Sequence, residues 1–149
     1  MIQARNIKGS TFGAFSRYIN GSQTIAAWQE TAIQVNNKDF DDIGCSYNST
    51  THKITISQGG IWVFNAGAGV VGTGANEFGG IGIKINGTGI TSTRYRGNAS
   101  FPAIGYTSTV AKVSSGDVVE ATVAGSLAVT NSSRTYCNFS GACVHPYSS

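Results

Sequence analysis

The sequence predicts an all-β fold, a jelly-roll sandwich of antiparallel sheets behind an irregular amino-terminal arm. Three observations carry this. Short runs of alternating apolar and polar residues recur at intervals of about 8–12 residues, as strands of a sandwich do. Gly, Asn, Ser and Thr separate them: the 149 residues include 20 Gly, 17 Ser, 15 Thr and 11 Asn. No window holds an apolar period of 3.6 residues, so no amphipathic helix is predicted.

Taken in order, Ala32-Ile33-Gln34-Val35 reads as the first clear strand. Lys53-Ile54-Thr55-Ile56-Ser57 alternates, with Ile54 and Ile56 on one face. Ile61-Trp62-Val63-Phe64 is apolar at every position, the pattern of a strand buried on both faces. Ile81-Gly82-Ile83-Lys84-Ile85 alternates and runs into Asn86-Gly87, a tight-hairpin signal. Val110–Val113 and Val118–Val123 are joined by Ser114-Ser115-Gly116-Asp117, a run with turn chemistry. Tyr136–Val144 closes the series, with Cys137, Phe139, Gly141 and Cys143 on one face. Residues 23–149 are therefore expected to form the jelly-roll domain.

Residues 1–22 read differently. Gly9, Ser10, Gly13, Asn20, Gly21 and Ser22 break any periodicity, while Phe12, Phe15, Tyr18 and Ile19 are apolar among them. So aromatic an arm must be covered by something. Either it packs on its own domain or a sister copy, or it docks on another protein, where aromatic residues and Arg anchor interfaces. Arg5, Lys8, Phe12, Phe15, Arg17 and Tyr18 are the candidate docking contacts.

Charge excludes several functions. The net charge is +3, and Arg5, Lys8 and Arg17 supply it, since residues 30–149 hold seven cations and seven acids. The body thus lacks the clustered basic face of a nucleic-acid binder, and none is expected as a partner. The longest apolar run, Ile61 to Gly72, is shorter than the roughly 20 residues that span a bilayer. The opening MIQARNIKGS has no apolar core of an export signal, which leads us to expect synthesis in the host cytoplasm. Cys45, Cys137 and Cys143 are read as free thiols acting as small hydrophobes. A Cys137–Cys143 bridge would need a bend at Gly141, because residues six apart on a strand lie too far from each other.

No catalytic or cofactor constellation emerges, so an enzyme is not expected. Gly67-Ala-Gly69-Val-Val-Gly72 spells G-x-G-x-x-G, but no helix signal follows and no acid lies about 20 residues on, so no dinucleotide is expected. Asp39, Asp41 and Asp42 offer oxygen ligands for Ca²⁺, yet their spacing fits no calcium loop and reads as a solvated turn. His52 and His145 stand singly, without a nucleophile elbow or zinc spacing. Five Asn-x-Ser/Thr sequons, beginning at Asn48, Asn86, Asn98, Asn131 and Asn138, carry no meaning without export.

From about residue 24 to residue 146 the order of motifs resembles the tumour necrosis factor-like and complement-globular-head superfamily. Ile33-Gln-Val-Asn-Asn37 is similar to its first strand. Ser46-Tyr47-Asn48 and Thr51-His52-Lys53-Ile54-Thr55-Ile56 resemble its "Tyr-Asp … Thr-Gly-x-Phe-Thr" stretch. Gly59-Gly60-Ile61-Trp62-Val63-Phe64 resembles its "Gly-x-Tyr-x-Phe" strand, with Trp62 for Tyr. Ile83-Lys84-Ile85-Asn86-Gly87, Ser115-Gly116-Asp117-Val118-Val119 and Phe139-Ser140-Gly141 resemble its "Asn-Gly" hairpin, its "Gly-Asp-x-Val" turn and its closing "Phe-x-Gly" strand.

The resemblance implies a homotrimeric jelly roll. With no collagen-like stalk, membrane anchor or export signal, the chain looks like a bacteriophage virion component rather than a secreted ligand. The expectation is a non-enzymatic capsid decoration (cement) protein, a homotrimer on the capsid surface whose partner is the major capsid protein. The alternative is the receptor-binding head of a tail or head fibre, which would meet a host-surface receptor through the segment Gly87–Pro102, with Arg94, Tyr95, Arg96 and Phe101.

Overall fold

The structure, a computed structural model, describes residues 12–71, 78–96, 103–125, 129–132 and 137–147. Every regular element among them is a strand. In chain order these are β1 (Ala14–Tyr18), β2 (Ser22–Ile25), β3 (Thr31–Ala32), β4 (Asn37–Lys38), β5 (Cys45–Asn48), β6 (Lys53–Ile56), β7 (Gly60–Val71), β8 (Phe78–Ile85), β9 (Thr88–Arg96), β10 (Ala103–Val113), β11 (Val118–Gly125), β12 (Val129–Ser132) and β13 (Asn138–Pro146).

Two antiparallel sheets result. In the first, β7 lies between β10 on one edge and β13 on the other, with β1 and then β4 beyond β13; β12 pairs the far end of β7 and carries β2. The second runs β5-β6-β11-β8-β9, with β3 also paired to β11. The expected sandwich and jelly roll are what the chain forms.

Local chemistry explains the turns. Asn86 and Gly87 both take positive φ, 51° and 78°, as a primed two-residue hairpin turn requires. The Asn86 side chain then ties this hairpin to the next, donating to Asp117 Oδ1 at 2.8 Å and accepting from the Val118 N–H at 2.9 Å. Asp117 Oδ2 accepts the Ser114 N–H at 2.7 Å and closes the β10–β11 turn.

The alternating residues of both sheets meet in one core. Phe15, Trp62, Phe64 and Phe139 are its largest members, all at 1% exposure or less. Phe15 meets Phe139 edge-on at 5.0 Å, and Trp62 stacks on Phe64 at 5.8 Å. Burial of each contributes roughly 1.5–3 kcal/mol. Gly141 is the register partner of both Phe15 and Phe64, and the rings occupy the space its side chain would need.

The chain departs from expectation at its start. The irregular arm expected over residues 1–22 does not run that far, because 14–18 are β1, paired along its length with β13. Alternation is present there, with Phe15, Arg17 and Ile19 facing inward. The charge on Arg17 hides the pattern from a reading that counts only apolar positions.

Candidate interaction face

The outward face of the first sheet is built by strict alternation. On β7 the inward residues Trp62 and Phe64 are buried, while Ile61 and Val63 are only half-covered. On β10, Ile104, Tyr106, Ser108, Val110 and Lys112 all point outward and are exposed. On β13, Ala142 and Val144 do the same, a bulge between Cys143 and His145 adding the extra residue.

Register aligns these side chains into rows. Val110, Val63, Ala142 and Ala14 are successive partners across β10, β7, β13 and β1. The next row is Ser108, Asn65, Ser140 and Ser16, neutral and polar. The next is Tyr106, Gly67, Asn138 and Tyr18, whose hydroxyl accepts from Asn37 Nδ2 at 2.8 Å. Val110 is 64% exposed, Tyr106 56% and Val144 55%. Among the outward residues of these four strands, Lys112 alone carries a permanent charge, and it lies 5.2 Å from the centre of the Tyr147 ring. Exposed apolar residues beside neutral polar ones, with a single charge, suit a self-complementary protein contact.

The arm candidates separate on inspection. Phe12 is half-exposed and available. Phe15 is corrected from docking contact to core residue, because Trp62, Phe64 and Phe139 enclose its ring. Arg17 is corrected likewise: its side chain is 9% exposed, paired with Asp42 and laid over the Tyr47 ring at 4.0 Å. Tyr18 is half-buried on β1. Arg5 and Lys8 lie outside the described residues.

Other sequence readings resolve as follows. Gly67 and Gly69 sit within β7, paired to β10, and Gly72 lies outside the described residues. Asp39, Asp41 and Asp42 go to separate partners, the Ser16 hydroxyl at 2.7 Å, Lys38 Nζ at 2.5 Å and Arg17. Among the described residues no three His, Cys, Asp or Glu gather to hold a metal. The three cysteines are free thiols; Cys137 and Cys143 are buried and Cys45 half-buried. Burial pushes the Cys45 thiol up to about 12, with the Asp42 charge adding to the rise, so at neutral pH it stays protonated and a poor nucleophile.

Sequence reasoning did not locate this face, although a signal existed. Ile61-Trp62-Val63-Phe64 predicted burial on both sides, and the single chain covers only one. The uncovered side, Ile61 and Val63, lies at the centre of the exposed face.

The chain matches no family model and no curated protein sequence. Solved structures do match. The Eiger TNF of S. frugiperda superposes with a TM-score of 0.67 at 7% identity, covering 93% of this chain and 96% of that one. The globular domain of the zebrafish complement 1qA protein superposes with a TM-score of 0.64 at 17% identity, covering 91% and 99%. The chain thus shares the jelly-roll fold of tumour necrosis factor and complement globular domains over nearly its whole length.

Proposed function

We propose that the chain is a non-enzymatic virion structural protein, a homotrimeric capsid decoration knob that binds the shell's major capsid protein and stabilises it. The single observation that carries the oligomer is the outward face of β10, β7, β13 and β1, with its exposed Val110, Tyr106 and Val144 and Lys112 as the one permanent charge. Two further copies of the chain are its occupants: the apolar side chains gain from leaving water, and the Ser and Asn row can hydrogen-bond across the contact. The trimeric habit implied by the resemblance to the tumour necrosis factor-like superfamily supports three copies rather than two.

The mechanism is binding. A trimer straddling several shell subunits adds buried area between them, and whatever binds only the assembled state shifts the equilibrium toward it. With Phe15 and Arg17 committed inside the domain, capsid docking falls to Arg5, Lys8 and Phe12.

Two measurements test this. In analytical ultracentrifugation the native chain should sediment as a trimer and Val110→Glu as a monomer; a native monomer at tens of micromolar overturns the assembly. Deleting residues 1–12 should leave the trimer and abolish decoration of empty capsids. Undiminished decoration overturns the docking assignment. A receptor-binding fibre head is the second reading, favoured by Arg94, which stands exposed on β9; binding of the isolated protein to host cells rather than capsids selects it.

A further inference from the structure

We infer that the outer face of the second sheet holds a binding groove for acidic saccharides, with Trp28 as the stacking surface and Arg94 as the carboxylate partner. This does not depend on the capsid role.

Trp28 is the first observation. Its ring is 78% exposed, whereas Trp62 is fully buried. It also sits at φ 59°, in the left-handed region that a bulky side chain rarely enters. The position is enforced: the Trp28 N–H donates to the Gly125 carbonyl at 2.7 Å, and the Gln29 N–H to Ala26 at 3.2 Å. The fold therefore displays a large aromatic surface to solvent on a backbone held in an unfavourable conformation, the kind of outlier that marks ligand sites.

The floor is the second. Gly80 and Gly82 are successive outward positions of β8, and they leave a furrow between β9 and β11. Gly80 is flanked by Arg94 and Ala124, Gly82 by Ser92 and Thr122. Packing does not demand glycine at 80: a Cβ there would meet only the Thr93 carbonyl, at an ordinary 3.6 Å. At the neighbouring inward Gly79 the Tyr95 ring leaves no such room. A side chain on Gly80 would instead occupy the furrow.

The furrow is a cavity of about 460 Å³ lined by Trp28, Glu30, Gly80, Arg94 and Ala124. It continues past Glu30 into a second depression of about 510 Å³ that reaches Lys84 and Ser92. Gly80 to Lys84 spans about 13 Å of strand, the length of a short oligosaccharide rather than of one ring.

Electrostatics select the ligand. Glu30 is already engaged, accepting from Lys84 Nζ and from the Thr122 hydroxyl, each at 2.6 Å. Arg94 is exposed and, among the described residues, has no ion pair. The end beside the indole therefore carries an uncompensated guanidinium, which binds a carboxylate through two parallel hydrogen bonds. A sugar acid joins that carboxylate to an apolar ring face for the indole, the pairing of surfaces that ligand clefts provide. A nucleic acid would need a row of unpaired cations along its backbone, and Lys84 is already paired.

The test uses the full chain and the emission of Trp28, with buried Trp62 as internal control. Trigalacturonate, a hyaluronan tetrasaccharide and 3′-sialyllactose are the probes, with galactotriose as the neutral control and a thymidine pentanucleotide as the alternative class. At least one acidic probe should shift the emission to the blue and shield the exposed indole from iodide, and galactotriose should not. Followed by isothermal titration calorimetry, which needs no fluorophore, Trp28→Ala should lose binding of that acidic probe. Arg94→Gln should raise the apparent Kd tenfold or more, and Gly80→Val should block binding with the thermal midpoint kept. The inference is overturned if no acidic probe responds at concentrations up to about 10 mM. Equal binding of galactotriose, protection by the pentanucleotide alone, or unchanged binding in Trp28→Ala also overturns it.

Discussion

Arg17 on β1 forks onto Asp42: its Nε donates to Oδ1 at 3.0 Å and its terminal nitrogen grips Oδ2. Both side chains are about nine-tenths buried. The pair lets an inward-facing cation occupy a core position of β1, and so lets that strand belong to the sheet.

Removing one partner strands the other charge. Arg17→Ala or Asp42→Ala should therefore lower the unfolding free energy by about 3–5 kcal/mol. Urea denaturation checks this. A loss below about 1 kcal/mol would mean that water reaches the remaining charge.

Gly141→Ala places a methyl group 2.5 Å from Phe15 and 2.8 Å from Phe64. Overpacking at such a site costs roughly 1–3 kcal/mol. The double variant with Phe15→Leu should recover part of the loss, and the double-mutant cycle measures how much.

The Tyr95 hydroxyl is buried and has no hydrogen-bond partner among the described residues. Burial, with the neighbouring Cys137 adding to it, pushes its phenol far above the ordinary tyrosine range. Tyr95→Phe removes an unsatisfied polar group and should leave stability unchanged or raise it by about 1–2 kcal/mol. A thermal midpoint that falls instead would refute the assignment.

His52 accepts or donates at Nδ1 to the Tyr47 hydroxyl at 2.8 Å, and burial holds its pKa below the ordinary 6.5. The unfolded chain therefore takes up this proton first as pH falls. The contribution of His52 is fully present above about pH 6.5 and is lost as pH drops toward the depressed folded value. His52→Asn keeps a residue tolerant of the φ of 59° found there and should flatten the pH profile in that window. An unchanged difference between the two proteins from about pH 5 to pH 7.5 would refute it.

Much of the sandwich was legible because its strands obey a period of two. The runs at 53–57, 61–64, 81–85 and 118–123 all fall on observed strands, and Asn86-Gly87 makes the turn it promised. β9 was not legible. Its sequence, TGITSTRYR, is almost wholly exposed and has no apolar alternation, as suits an edge strand. β1 was missed because an ion pair stands where an apolar residue would have kept the rhythm.

Local pattern determined which residues alternate and where the chain turns, since a strand's period and a turn's φ values are properties of adjacent residues. Tertiary structure alone decided that Arg17 meets Asp42, 25 residues away, and that Trp28 faces solvent. Trp62 stands in an apolar run that reads as buried, whereas Trp28 follows Ile25-Ala26-Ala27 with nothing local to mark it as exposed. Their fates diverge because Trp62 points inward from β7 against Phe15 and Phe64, and a turn tied to Gly125 holds Trp28 outside the sheet. The exposed rows at Val110 and Ala142 have the same origin, for register across four strands is set by pairing between distant segments.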